Sequence, residues 1–247
     1  MGQNRSPAVM QRRVEPHDSL DYFPTPPWAT RALCEFLKME WNLKDQNVWE
    51  PACGEGHMAR PLAEYFREVL ATDVHDYSAS FPEQHEVADF LIDWGLVDKR
   101  SSVDWIISNP PFRLADEFIR MALSHARIGC AMLVRTSFLE GQDRHDQLFS
   151  DIPPAAILQF AERVAMFKGV IRQAGSKYVC PHTGQEKVAS TATSYCWIIW
   201  LNSPVDFTRF SWIAPCRQRL ETCADYPVVK AAAGPMPLFE EGSLKNA

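Results

Sequence analysis

Residues 47 to 66, NVWEPACGEGHMARPLAEYF, decide the fold. NVWEPAC reads as a short strand, and GEGHMARPLAEYF as a glycine turn running into a helix. Strand, glycine turn and helix together present free backbone N–H groups and a helix N-terminus to a ligand. Gly54 and Gly56 lack a Cβ where that ligand must come close. A second strand, Glu68 to Val74, ends in Asp73, 19 residues beyond Gly54. A carboxylate at that strand end is placed to accept the two hydroxyls of a ribose. The third glycine of a dinucleotide site is missing. A nucleoside cofactor without a pyrophosphate fits better, because Glu50 would repel phosphate yet could pair with a cationic amino group.

Downstream, His85 to Phe90 predicts a third strand carrying Asp89, which either accepts hydrogen from an adenine amino group or caps a turn. The fourth strand is DWIISNPPF, residues 104 to 112. Pro110 and Pro111 have no N–H to give and restrict the residues before them. Asn109, Pro110, Pro111 and Phe112 therefore form a stiff corner of amide, carbonyl acceptors and ring, suited to gripping a flat group that bears an NH2; an ordinary proline turn is the alternative. LADEFIRMALSHA has helical apolar spacing, CAMLV at 130 to 134 is a strand buried on both faces, and 155–160 and 193–200 supply strands six and seven. FTRFSWI, at 207 to 213, adds a small β element.

Upstream, Thr25 is expected to cap a helix from Pro26 to about Met39, and Tyr22, Phe23 and Pro24 either cover a ligand or staple that helix. Residues 1–19 read as a flexible arm, 20–215 as the folded domain and 216–247 as an extended or disordered tail. Residues 163–192 are a long excursion between strands six and seven, and such excursions are usually functional or disordered. The stretch from 160 to 190 carries five basic residues against two acidic ones, a local charge of +3, in a chain whose net charge is -6. Arg163, Lys168, Arg172 and Lys177 are its candidate phosphate contacts, a solvated basic face being the alternative.

The overall charge argues against a protein held on nucleic acid by bulk electrostatics. Seven scattered cysteines without a CxxC pair exclude a disulfide scaffold and give no zinc pattern, so no metal is expected. No apolar run reaches membrane-spanning length. A soluble, cytoplasmic protein is expected, with monomer and dimer both open.

Alternating strands and helices predict an open α/β sheet with helices on both faces, and Gly54, Asp73, Asp89 and Asn109 all fall at strand C-terminal ends, where such sheets bind ligands. In these residues the chain resembles the class I S-adenosylmethionine-dependent methyltransferases of the NPPF/NPPY amino-group type, most closely the bacterial and phage adenine-N6 DNA methyltransferases, some of them parts of restriction-modification systems. The resemblance implies a Rossmann-like, mostly parallel seven-stranded sheet whose last strand is antiparallel. It implies that EPACGEG, with Glu50, Pro51, Ala52, Cys53, Gly54 and Gly56, holds the methionine part of S-adenosyl-L-methionine, that Asp73 and Val74 lie at the ribose and that Asp89 and Phe90 lie at the adenine. Tyr22, Phe23 and Thr25 would close over the methionine, and Asn109 would border both cofactor and acceptor. The catalytic set would be Asn109, Pro110, Pro111 and Phe112, with Phe112 stacked on an adenine flipped out of DNA and S-adenosyl-L-homocysteine as product. Guanine N2, cytosine N4 or an RNA substrate is the alternative, and an inactive binding protein on the same fold is a third reading.

Overall fold

The computed structural model describes residues 21–92, 103–180 and 183–226; the arm expected at 1–19 and the last part of the expected tail lie outside the described residues. The elements run α1 (Pro27–Leu37), β1 (Asn47–Glu50), α2 (Ala59–Ala63), β2 (Glu68–Asp73), β3 (Glu86–Val87), β4 (Trp105–Ser108), α3 (Ala115–His125) and β5 (Gly129–Arg135). A helical turn at Thr136–Leu139 and α4 (Gln142–Arg144), which continues as the π-helical turn His145–Phe149, lead to β6 (Ala156–Phe160). Then come β7 (Lys177–Val179), β8 (Glu186–Val188), β9 (Tyr195–Leu201), β10 (Arg209–Ile213) and α5 (Arg217–Leu220).

Eight strands form one sheet in the order β10-β6-β9-β5-β4-β1-β2-β3, and β7 and β8 form a separate antiparallel hairpin. Within the sheet only β9 runs against its neighbours, β5 and β6. This is the Rossmann-like α/β fold with a mixed sheet between helices. It differs from the expected seven strands by one. FTRFSWI pairs parallel with β6 as an outer strand, Arg209 opposite Ala156 through Ile213 opposite Phe160, so the antiparallel strand is internal and the last strand is parallel.

Alternation along the strands builds two cores. Val48, Trp105, Ile107, Leu133, Leu158 and Trp197 face α1 and α2, meeting Trp28, Leu33, Leu37 and Leu62. Trp49, Ile106, Met132, Ile198 and Trp200 face α3, meeting Phe118 and Ile119. Two of the indoles buried in these layers reach carbonyl acceptors: Trp197 Nε1 donates to the Ala29 carbonyl at 3.0 Å and Trp200 Nε1 to that of Ile152 at 2.9 Å.

Three local expectations change. Thr25 does not cap α1, which starts with Pro27 at its first position and has no side-chain cap; the Thr25 hydroxyl instead accepts a hydrogen bond from Asn109 Nδ2 at 3.1 Å. The third strand shrinks to Glu86–Val87, and Asp89 sits in the turn beyond it. Residues 216–226, expected as the start of the tail, fold back onto α1: Asp225 and Leu220 both receive hydrogen bonds from the buried Arg31 guanidinium. An arginine taken out of water needs such partners.

From β1 the chain steps outward to β2 and β3, then crosses back over β1 to lay down β4 on its other side. At this reversal the C-terminal ends of β1 and β4 part, leaving the crevice typical of open α/β sheets.

Candidate active site

The crevice at that reversal has a volume of about 250 Å³. One wall is the glycine loop. Gly54 adopts a φ of +49°, and a Cβ there would lie 2.5 Å from Cε2 of Tyr22, whose ring covers the loop. Gly56, at φ +78°, lies just as tightly against Phe81. The Gly54 N–H donates to Asp73 Oδ2 at 2.9 Å and the His75 N–H to Asp73 Oδ1 at 3.0 Å, so Asp73 ties the loop to the end of β2. Burial raises the Asp73 pKa, and the backbone donors at His75 and Gly54 offset part of that rise.

Glu50 closes the floor. Its side chain is 2% exposed, and its Oε2 is buried without a hydrogen-bond partner. Burial, with the Asp73 charge second, pushes its carboxyl well above the ordinary range. A buried, unpartnered oxygen of this kind calls for a donor from a ligand. Pro51, Ala52, Cys53, Val74, Asp89 and Phe90 line the same crevice. Asp89 keeps both of its predicted readings: it faces the crevice while its Oδ1 accepts the Leu91 N–H at 2.9 Å. Phe90 is held edge-on to Trp49, with ring centroids 5.0 Å apart.

Asn109 stands opposite. Its Nδ2 donates to the Phe23 carbonyl at 2.8 Å and to the Thr25 hydroxyl at 3.1 Å, with Met166 Sδ at 3.7 Å. A carbonyl partner can only accept, so this assigns the two ends of the carboxamide. Oδ1 is left buried and unpartnered beside the crevice. The Pro111 carbonyl is already used by the Leu114 N–H at 2.9 Å.

Phe112 lies outside the crevice wall, in a box of its own. Its N–H donates to Asp21 Oδ2 at 2.8 Å, its ring centroid is 5.3 Å from that of Phe23 and 6.4 Å from that of Tyr195, and the Arg135 guanidinium lies 4.0 Å from its centroid. Segment 21–25 thus bridges the glycine loop, through Tyr22, and the NPPF corner, through Asp21, Phe23 and Thr25.

The excursion residues are not gathered in the same way. Arg163 Nη1 donates to the Ala192 carbonyl and the Ser194 hydroxyl at 2.6 and 2.8 Å. Arg172 covers the Tyr178 ring at 4.2 Å, and Lys177 pairs with Glu186 across the β7–β8 hairpin at 2.9 Å. Lys168 is half-buried.

Sequence reasoning missed His57, His75 and Tyr77, which also line the crevice. His57 follows Gly56 directly, a signal that was available. Its Nε2 lies 3.4 Å from Glu55 Oε2 without hydrogen-bond alignment, and burial lowers its pKa despite that neighbour. Asp21 and Arg135 were also missed, since each acquires its role only by meeting Phe112. Among the described residues no group of three or more His, Cys, Asp or Glu is placed to hold a metal ion, and no helix is long and apolar enough to cross a membrane.

No family model and no curated protein matches this sequence. Solved structures do. One is a protein assigned as the modification subunit of a type I restriction enzyme from Vibrio vulnificus YJ016, with a TM-score of 0.50 and 14% identity over 77% of this chain. This chain spans about half of that protein, 47%. Another is a protein assigned as an RNA methyltransferase from Pyrococcus horikoshii, with a TM-score of 0.50 and 15% identity over 76% of this chain and 90% of the other. At such identities the likeness establishes a methyltransferase-type fold.

Proposed function

We propose that this protein transfers a methyl group from S-adenosyl-L-methionine to an exocyclic amino nitrogen of a nucleic-acid base, the N6 of adenine in DNA. The observation that carries this reading is the Asn109 carboxamide, locked by Phe23 and Thr25 so that an unpartnered Oδ1 borders the crevice. An acceptor oxygen fixed in that way suits an N–H donor entering from a substrate.

The crevice residues fit the cofactor. Glu50 Oε2 lacks a donor and would take the ammonium of the methionine part, Asp73 has oxygen lone pairs to spare for ribose hydroxyls, and Asp89 with Phe90 would hold the adenine. When bound, the cofactor supplies an electrophilic methyl on a sulfonium. The protein's own contribution is alignment and polarity. The amine of adenine is a poor nucleophile because its lone pair is delocalised into the ring. Asn109 Oδ1 and the Pro110 carbonyl would each accept one of its hydrogens, drawing the nitrogen out of conjugation. Neither is a strong base at neutral pH, so the proton leaves after the new bond has begun to form. Since the amine of a paired base is buried in the duplex, the nucleotide must be turned out of the stack at a cost of a few kcal/mol.

The test is incubation with methyl-labelled cofactor and, separately, DNA and RNA, followed by digestion and identification of the modified nucleoside. N6-methyladenine in DNA is expected. A label on another base or in RNA would correct the substrate, and no transfer to either polymer would overturn the reading.

A further inference from the structure

The box around Phe112 is assembled from four distant parts of the chain. Phe112 follows β4, Arg135 ends β5, Tyr195 opens β9 directly opposite Arg135 in the antiparallel register, and Phe23 arrives on segment 21–25. Its occupant is the Arg135 guanidinium, a flat, delocalised group bearing NH2, 4.0 Å from the Phe112 centroid. A nucleobase amine has the same description. Arg135 is nonetheless exposed. Its hold is the ring contact, which is weak at an exposed site, together with its contact to Tyr195. That is weak enough to yield to a base stacking on the aromatic ring.

We propose that Arg135 is a substrate-positioning residue that fills the base slot on Phe112 when no substrate is bound and pairs with a phosphate of the target strand once a base displaces it. The inference rests on the nucleic-acid reading above. Displacement leaves a charged fork beside the sugar-phosphate of the nucleotide that has just entered, and a guanidinium matches phosphate bidentately. Arg163, which braces Ser194 and Ala192 next to Tyr195, keeps the neighbouring backbone in place while Arg135 moves.

The two halves of this role have opposite signs, which separates it from a structural one. Arg135→Ala and Arg135→Lys would be compared with wild type for binding of 2-aminopurine deoxyriboside, which has no phosphate, and of a single-stranded oligonucleotide carrying one 2-aminopurine, both read by fluorescence quenching. In Arg135→Ala the nucleoside is expected to bind several-fold more tightly, because the slot is open. The oligonucleotide is expected to bind at least tenfold more weakly, with the slope of log K against log salt reduced by about 0.7 for the lost phosphate contact. Arg135→Lys should recover the salt slope. Both ligands shifting in the same direction, or an unchanged slope, would overturn the proposal while leaving the methyltransferase reading intact. Failure of the wild-type protein to bind either ligand would overturn the nucleic-acid reading and this inference with it.

Discussion

The Asn109 carboxamide has two ends, and only one is spent on the protein. Turning it over would set Oδ1 against the Phe23 carbonyl, so the acceptor stays aimed at the crevice without any cost at the moment of reaction. Asn109→Ala is therefore expected to lower the rate of methyl transfer by about 10²–10³, the effect of removing one preorganised polar group, while cofactor affinity measured by calorimetry stays within a few fold. Equal turnover in wild type and variant would sink the assignment. Glu50 makes a prediction about pH. Its folded-state pKa is raised by burial and by Asp73, so its contribution to stability is intact below the unfolded value and is lost as pH rises through the folded one. Glu50→Gln, which carries no charge to bury, should unfold at a higher temperature than the wild type at pH 8 without ligand, and the gap should close near pH 4. Parallel melting temperatures across that range would refute the buried-charge account. The same substitution should weaken cofactor binding, because the neutral amide loses the ammonium partner. Both residues were legible as candidates from their positions at strand ends. Their orphaned oxygens were not, because the partners that leave them free, Phe23, Thr25 and Asp73, come from other segments.

At the level of elements, the glycine loop and segment 21–25 behave as one unit, because the Tyr22 ring occupies the space a Gly54 side chain would need. Gly54→Ala incurs two penalties: a left-handed backbone, about 1–2 kcal/mol for a residue with a Cβ, and a clash 2.5 Å from Tyr22. The variant is expected to lose cofactor affinity tenfold or more as the ring is pushed off the loop. In a Tyr22→Ala background the second penalty vanishes, so the added effect of Gly54→Ala should shrink to the backbone strain alone; strict additivity in that double-mutant cycle would disprove the coupling. The pattern of apolar runs made most strands readable, since β4, β5 and β9 are buried on both faces and carry long unbroken apolar stretches. Ends and directions were harder. β3 is two exposed residues with no apolar run to announce it, and the parallel pairing of β10 with β6 depends on where the chain re-enters the sheet, which no local pattern encodes. Thr25 carried a true helix-start signal and lost that role to a longer-range bond with Asn109.

For the molecule as a whole, the sheet carries the site at one end of its reversal point, and the segment after β10 returns to brace the far side of α1. Arg31 is the clasp. Only 7% exposed, it donates to Glu64 through Nε and Nη2 at 2.8 and 2.7 Å, and to Asp225 through Nη1 and Nη2 at 2.7 and 2.9 Å. Thr222 holds the same Asp225 carboxylate through its backbone N–H and its hydroxyl, at 2.8 and 2.9 Å. Burial pushes the Asp225 pKa up, but the Arg31 and Thr222 hydrogen bonds outweigh it and leave the carboxyl below its ordinary value. The stability it contributes is therefore present above the unfolded pKa and is lost as pH falls through the folded one. Asp225→Ala should destabilise the protein at pH 7 by about 3 kcal/mol, the low end for breaking a buried pair, because Glu64 still partners Arg31. The cost should begin to fade below about pH 4, where Asp225 of the unfolded chain takes up its proton, and should vanish as pH falls through the lower folded-state value. Denaturant unfolding at both pH values checks the magnitude and the sign. Removing residues 216–247 should match or exceed the single substitution, because the Leu220 carbonyl is lost along with Asp225. A truncated chain as stable as the full one would mean that the clasp closes without contributing to the fold, and that the methyltransferase-type sheet stands without this brace.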